Sequence, residues 1–317
     1  MFEEKRPLFI YCVSPVHVGA GTALGVIDNP IQRERHTDHP VFSGAGLKGA
    51  IRHDFWAQAQ KNNAVEADLI TRVFGPSPEE GGSLHAGAIS FSDAQLVAFP
   101  VRSIREAFVY TSCPTALARA ERTLRLSGCG VNWNVARVPI GKCLLRKESL
   151  KSLCSAERRL PLEAFEFEAQ EDSNVANIAN WLAEQAILDN PAFAFFREKM
   201  KQDFVVLSDE DFGYFVRNAT VVEPHVRIDD VTGTADDGGL FYTENLPPES
   251  LLLALAMASE ERTRNEKRQS AKKVIEFLLN GKAGITGVDG RLIQIGGDAT
   301  TGRGQVVIKS AGGNDHA

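Results

Sequence analysis

Ser43-Gly-Ala-Gly-Leu-Lys48-Gly-Ala-Ile-Arg52-His-Asp-Phe55 reads as the opening of a helix that runs to about Gln60. Ser43 is a suitable N-cap, and Leu47, Ile51 and Phe55 recur every four residues, which marks a face turned to a core. Lys48 and Arg52 share the same spacing on a second, basic face. The small residues 44–46 would let a phosphate approach the free N–H groups of the first turn. Basic residues on a helix are most often just a solvated face, so the pair alone decides little. Arg33 and Arg35, shortly upstream, add to the case for an anion.

Working outward, Pro7-Leu-Phe-Ile-Tyr-Cys-Val13 is aromatic and β-branched and closes at Ser14-Pro15, as a buried strand does. Ala88 to Val97, with Ile89, Phe91 and Leu96, predicts a second strand after the helix. The same order returns late in the chain. Leu251 to Met257 predicts a strand, and Glu266 to Asn280 a helix with Ala271, Val274, Ile275, Leu278 and Leu279 on one face and Gly281 as its stop. Leu292 to Ile295 and Val306 to Lys309 close the chain as strands around Gly296-Gly297 and Gly302-Arg303-Gly304. Strand, helix, strand given twice is the order of two ferredoxin-like halves or of one elaborated ferredoxin-like α+β domain. No linker separates them, so residues 1–317 are read as one domain with insertions.

Residues 101–200 are read as an insertion rich in helix. Ala116 to Leu126 is basic, and Val175 to Asn190 and Pro191 to Lys201 predict two helices broken at the proline. Phe204 to Leu207 then predicts a short strand, and Asp209 to Phe215 an acid-led helix. Val221 to Ile228 and Leu240 to Thr243 flank a polar, glycine-containing turn, which predicts a long hairpin within residues 221–247.

The 317 residues are 43% hydrophobic and 24% charged, which is ordinary for a soluble globular protein. No apolar run reaches membrane-spanning length and the N-terminus lacks a signal peptide's apolar stretch, so the chain is read as cytoplasmic. Five scattered cysteines without a Cys-x-x-Cys pair argue against a zinc or redox centre. The net charge of −6 hides a polarity: residues 101–160 hold 12 Lys/Arg against 4 Asp/Glu, and residues 161–260 hold 5 against 20. Such a dipole suits a protein that grips a polyanion on one side and meets a basic neighbour, another copy of itself included, on the other.

Several familiar chemistries fail on spacing. Gly19-Ala-Gly21-Thr-Ala-Leu-Gly25 misses the dinucleotide fingerprint, and Pro30 lies where that fingerprint needs helix. Lys48-Gly49 reverses the phosphate-loop order, there is no Gly-x-Ser-x-Gly elbow, and His36 and His39 lack the partners of a metal site. What remains is Asp28, an isolated carboxylate opening a loop that runs from Asp28 to Pro40 ahead of the basic cluster. His17 could act with it as a base or acid, although a lone histidine beside Pro15 and Val16 is more often a satisfied core group.

Ile27-Asp28-Asn-Pro-Ile-Gln-Arg-Glu-Arg-His-Thr37, with His17-Val-Gly19, Ser43 to Gly49, Val226-Arg-Ile-Asp229, Thr232-Gly-Thr234, Leu240 to Pro247 and the C-terminal glycine-rich loop, resembles the RAMP superfamily of CRISPR proteins. Within it, the first run resembles the repeated backbone subunits of type III-B Cmr effector complexes. The likeness runs from residue 7 to about residue 310 and is thinnest over 100–200. It implies a modified RNA-recognition-like (ferredoxin-like) palm with insertions and a thumb-like hairpin, polymerised along a CRISPR guide RNA beside other Cmr-type subunits, with no membrane partner. It also implies cleavage of a complementary target RNA within the assembly.

By the same resemblance Asp28 matches the catalytic aspartate and His17 a nearby histidine, with Tyr242 and Glu244 as weaker site candidates. Lys48 and Arg52, with Ser43, Gly44 and Gly46, match the guide-backbone surface, Arg33 and Arg35 extend it, and Gly302-Arg303-Gly304 matches a glycine-rich loop at the RNA. An exposed aspartate titrating near ~4 is a poor general base at neutral pH, so Asp28 serves at least as well by positioning the nucleophile or holding a divalent cation, Mg²⁺ being the natural choice. Two alternatives within the superfamily stay open, a non-catalytic RNA-binding scaffold and a guide-processing ribonuclease. A phosphate-binding metabolic enzyme is a more distant reading.

Overall fold

The computed structural model describes residues 2–23, 25–61, 67–76, 85–263, 268–282 and 284–312. In chain order the first elements are β1 (Glu4–Cys12), β2 (Val41–Phe42), α1 (Gly44–Lys61), α2 (Ala67–Phe74), β3 (Ile89–Phe91), β4 (Ala94–Arg102) and β5 (Phe108–Ser112). The middle holds α3 (Pro114–Leu126), β6 (Lys142–Leu145), α4 (Ser149–Leu153), β7 (Arg159–Leu162), β8 (Phe165–Glu171), α5 (Ser173–Gln185), α6 (Ala194–Gln202), β9 (Phe204–Leu207) and α7 (Asp209–Asn218). Then come β10 (Val221–Ile228), β11 (Ala235–Asn245), β12 (Leu251–Ala258), α8 (Ala271–Asn280), β13 (Gly281–Lys282), β14 (Ile285–Thr286), β15 (Leu292–Gln294) and β16 (Gln305–Ser310).

Twelve of the described strands form one mixed sheet, ordered β15-β16-β1-β12-β4-β5-β9-β6-β8-β7, with β2 on β4 and β3 on β12. β1 lies inside it, antiparallel to β12 and β16, so that Phe9 faces both Leu253 and Lys309. Its side chains alternate between two cores. Leu8, Ile10 and Cys12 join Leu47, Ile51 and Phe55 of α1 and Val274 and Leu278 of α8, while Phe9 and Tyr11 join Leu117 of α3 and Ile178 and Leu182 of α5. Burial on both faces is why β1 is a continuous apolar run rather than an alternating one. Phe55 ties α1 to its neighbours, its ring lying 5.6 Å from Phe74 and 5.3 Å from Phe277.

The departures from the sequence reading have local causes. The strand expected over 88–97 is two strands, because Ser92 and Asp93 turn outward between β3 and β4. There the Ser92 hydroxyl accepts from Leu255 N and the Asp93 carboxylate accepts from Gly44 N. The late helix begins at Ala271, and Glu266 and Lys267 lie outside the described residues. Residues 101–200 are more than a helical insertion: β5, β6, β7 and β8 extend the main sheet. The basic stretch expected to be an insertion is α3, capped by Cys113 with Pro114 in its first turn, and Ala116, Leu117, Ala120 and Leu124 are buried. Small and aliphatic residues at that spacing make a core stripe, which the intervening arginines hide from a charge count.

β10 and β11 form a two-stranded sheet of their own, which Asn29 bridges at Thr243. The register sets Val226 opposite Leu240 and Pro224 opposite Tyr242, with a shift before Ile228. Val226, Ile228, Val231 and Leu240 leave apolar side chains exposed along it. Its turn is built by Asp229, whose carboxylate accepts from Val231 N at 2.9 Å and Thr232 N at 2.6 Å, an Asx turn that explains the Asp-x-x-Thr-Gly-Thr pattern.

Candidate functional site

Asp28 is fixed at the root of this hairpin. One carboxylate oxygen, Oδ2, accepts from Tyr242 N at 2.8 Å. The next residue binds the same strand, with Asn29 N donating to Tyr242 O at 3.0 Å and Glu244 N donating to Asn29 O at 3.0 Å. The other oxygen of Asp28 takes no hydrogen bond among the described residues. His17 reaches the same strand two residues on: its Nδ1 lies 2.7 Å from Glu244 O. A carbonyl can only accept, so Nδ1 carries the proton and a neutral ring keeps its lone pair on Nε2.

Tyr242 therefore serves the site through its backbone. Glu244 is not a reacting group either: it is buried, and its carboxylate accepts from Ile31 N at 3.1 Å, Arg33 Nη2 at 2.5 Å and Thr220 Oγ1 at 2.8 Å. It is a clasp that locks the Asp28 loop to the hairpin. Arg33, expected to hold RNA, is spent on this clasp and on the carbonyls of Asp38 and Val216, both at 2.9 Å. Its neighbour Glu34 faces the other way, to Arg119 of α3 and Thr37. Burial alone would raise the Glu34 carboxyl, but hydrogen bonds from Arg119 and Thr37 outweigh it and hold the group below its usual value. Arg35 stays exposed. His39 packs edge-on against Phe212, and burial pushes it down to about 4, so it is a neutral core group.

The C-terminal glycine loop packs under His17, with Gly297 N donating to His17 O at 2.9 Å and Gly304 N to Pro15 O at 2.8 Å. Gly302 and Gly304 take φ of 81° and 80°, which glycine alone adopts without strain. Arg303 forks onto Glu223 of β10 at 3.1 and 2.5 Å, so it braces the hairpin rather than waiting free for RNA.

Ser43 caps α1 as expected, its hydroxyl accepting from Gly46 N at 3.3 Å. Gly44 N is taken by Asp93 at 2.7 Å, and a Cβ at Gly44 would fall 2.3 Å from Phe91 O, so this glycine answers to packing on β3 and not to a phosphate. Gln32 joins this end of the helix to the Asp28 loop, accepting from Ser43 N at 3.3 Å while Gln32 N donates to Val18 O at 2.8 Å. Lys48 and Arg52 are half-buried and, among the described residues, have no carboxylate partner.

A model of the RAMP superfamily matches residues 9–307. The chain belongs to the RAMP superfamily. Within it, the CRISPR system Cmr endoribonuclease Cmr4 of Pyrococcus furiosus is 32% identical over 300 residues, 94% of this chain and 93% of the relative, which places the chain in the Cmr4 family. The CMR subunit Cmr4 of Saccharolobus solfataricus is 25% identical over 272 residues, 80% of this chain and 84% of the relative. The crystal structure of oligomeric Cmr4 from P. furiosus superposes with a TM-score of 0.70 at 25% identity, covering 97% of this chain and 98% of that one. A chain of the type III-B Cmr-beta complex bound to cognate target RNA shares the fold, with a TM-score of 0.69 at 20% identity and 98% of both chains covered.

This Cmr4-family chain also carries site residues that no motif announces. Arg262 adds a third cation to Lys48 and Arg52. Burial lowers Lys48 first, and the charges of Arg52 and Arg262 lower it further, while Arg52 Nε is buried without a partner. Arg262 is held by Phe2, whose ring lies 5.7 Å from the guanidinium, and by the Ser259 hydroxyl, which accepts from its Nε at 3.4 Å, while Glu261 next to it is buried and bound by Arg72 at 3.0 and 2.9 Å. Three cations thus gather here with no carboxylate ion pair among the described residues, a cluster of side chains where the sequence pointed to backbone N–H groups. Metal chemistry is narrower: among the described residues no three His, Cys, Asp or Glu side chains are grouped to hold an ion. A single Asp28 oxygen fits a cation that keeps most of its own waters, as Mg²⁺ does.

Proposed function

We propose that this chain is a guide-RNA-binding backbone subunit of a type III-B CRISPR effector complex and cleaves complementary target RNA at Asp28. The observation that carries this is the Asp28 carboxylate, fixed by Tyr242 N at the root of a hairpin with exposed apolar side chains, one oxygen left over. The endoribonuclease name of the P. furiosus relative supports the same reading.

In a regular A-form stack the 2′-hydroxyl is not in line with its own phosphodiester. The β10–β11 hairpin, acting as a thumb, splays two bases and brings that hydroxyl in line. Asp28 orients it, the Asp28 carboxylate or the Nε2 lone pair of His17 takes its proton, the 2′-oxygen bonds to phosphorus, and the P–O5′ bond breaks as the 5′-oxygen takes a proton from water. Asp28 would hold the cation, Mg²⁺, which when bound supplies positive charge for the phosphoryl oxygens. Lys48, Arg52 and Arg262 grip the guide backbone without reading sequence, and base pairing supplies specificity.

The antiparallel run β16-β1-β12-β4, with α1 and α8 as crossovers, supports a ferredoxin-like palm. Its charge polarity suits head-to-tail copies of the chain along one guide, beside other Cmr subunits, and no helix among the described residues is long and apolar enough to cross a membrane, in keeping with a cytoplasmic complex. The test is a reconstituted guide-loaded assembly given complementary or scrambled RNA, with Mg²⁺ or with EDTA. Evenly spaced cuts only in the complementary strand, lost in EDTA, are expected; cutting of free precursor RNA by the isolated chain would point to guide processing instead.

A further inference from the structure

The basic stretch 101–160 is not explained by the Asp28 site, and eight of its 12 cations fall into two groups, with Arg102, Arg122, Arg137 and Arg159 in neither. Arg119, Arg125, Lys142 and Arg146 are neutralised by Glu34, Glu121, Glu168 and Glu148. Arg105, Lys147, Lys151 and Arg158 have no ion-pair partner among the described residues, yet all four line one depression of about 490 Å³. Its wall contains a single carboxylate, Glu171. The depression sits where the β4–β5 loop, α4 and the approach to β7 meet, toward the end of the sheet opposite β15 and β16, which pack under His17.

We infer that this depression is a second phosphodiester-binding site, one that holds the sugar–phosphate backbone of a single-stranded RNA away from the cleavage centre. Four like charges converging on one hollow, with only Glu171 against them, repel each other until an anion enters. The lining also argues against a protein partner. A protein interface needs an apolar or aromatic centre, whereas here the apolar wall is Leu150, partly buried in the core, Cys154, 3% exposed, and the single exposed methyl of Ala156. There is no aromatic ring for a base to stack on either, so the contact is to backbone and blind to sequence.

The inference rests on the RNA-binding reading above, and one titration separates the two. Fluorescence anisotropy with a single-stranded RNA oligonucleotide is measured over about 50 to 300 mM salt for the full chain, for Lys147→Gln/Lys151→Gln and for the charge-matched control Arg122→Gln/Arg137→Gln, whose residues lie outside the depression. Losing two phosphate contacts lowers the slope of log affinity against log salt by about 1.4. That fall is expected in the first pair and not in the control, with equal melting temperatures for both. Arg105→Gln/Arg158→Gln should repeat it. Equal slopes in all proteins, or an equal fall in the control, would overturn the inference, as would an unchanged slope with a loss of self-association, which would make the depression a contact between copies. Absence of RNA binding by the unsubstituted chain would instead overturn the functional reading itself.

Discussion

At the scale of single residues, Asp28 stands out in sequence because an isolated acid among prolines and basic residues has no packing reason to be there. Glu244 is different. Its sequence neighbourhood makes it a candidate acid, and only the folded chain shows three donors converging on it from residues 31, 33 and 220. Glu244→Ala strands the Arg33 guanidinium, whose side chain is 17% exposed, and removing one partner of a buried pair costs roughly 3–5 kcal/mol. Chemical denaturation should show a loss of that order, and Glu244→Gln, which keeps one oxygen to accept from Arg33 and Thr220 but loses the acceptor for Ile31 N, a smaller one; a loss under about 0.5 kcal/mol for alanine would refute the clasp. Glu249 gives a pH signature that no pattern predicts. Burial raises it from an ordinary 4.5 to about 7, and its carboxylate meets Tyr11 Oη, itself 2.8 Å from Tyr110 Oη. Between those two values the native chain holds a proton that the unfolded chain has released, so the group's contribution to stability falls as pH rises. The melting temperature of Glu249→Gln should therefore gain on that of the unsubstituted protein from pH 5 to 8, most of it below about 7. A constant gap would contradict this.

Among the elements, β1, α1, β12 and α8 are legible because their apolar spacing matches what they bury, and α7 because acids fill its first turn. α3 is not, since its arginines dominate the composition while Ala116, Ala120 and Leu124 do the packing. The glycine loop after β15 is recognisable as a turn, but its tightness comes from tertiary approach. A Cβ on Gly304 would lie 2.2 Å from the Gln294 side chain and 2.3 Å from Ile295 O, at a φ of 80°. Gly304→Ala should cost roughly 1–3 kcal/mol by thermal unfolding, and a neutral result would mean that the loop yields. The hairpin answers to a different test. Val226 and Leu240 face each other at 46% and 53% exposure, so replacing both by serine should leave stability within about 0.5 kcal/mol. Target cleavage should fall while guide binding persists; if cleavage is unchanged, the hairpin does not open the duplex.

Over the whole molecule, the sequence carries the repeated strand, helix, strand order, which the structure keeps. It does not carry the way the sheet grows across residues 101–200, because strands as short as Lys142–Leu145 and Arg159–Leu162 have too few residues to show a period. Nor does it show that Arg33 and Arg303 are occupied within the fold, since an arginine's partner is set by tertiary contact. What unites these scales is one arrangement: the Asp28 loop, the hairpin root and the glycine loop meet, with cations arrayed beside them on α1. Target-RNA cleavage by the guide-loaded assembly in Mg²⁺, with Asp28→Asn against the unsubstituted chain and guide binding measured in parallel, tests it most directly. Loss of the regularly spaced cuts with guide binding intact is the predicted result, and equal cutting by both proteins would place the chemistry elsewhere.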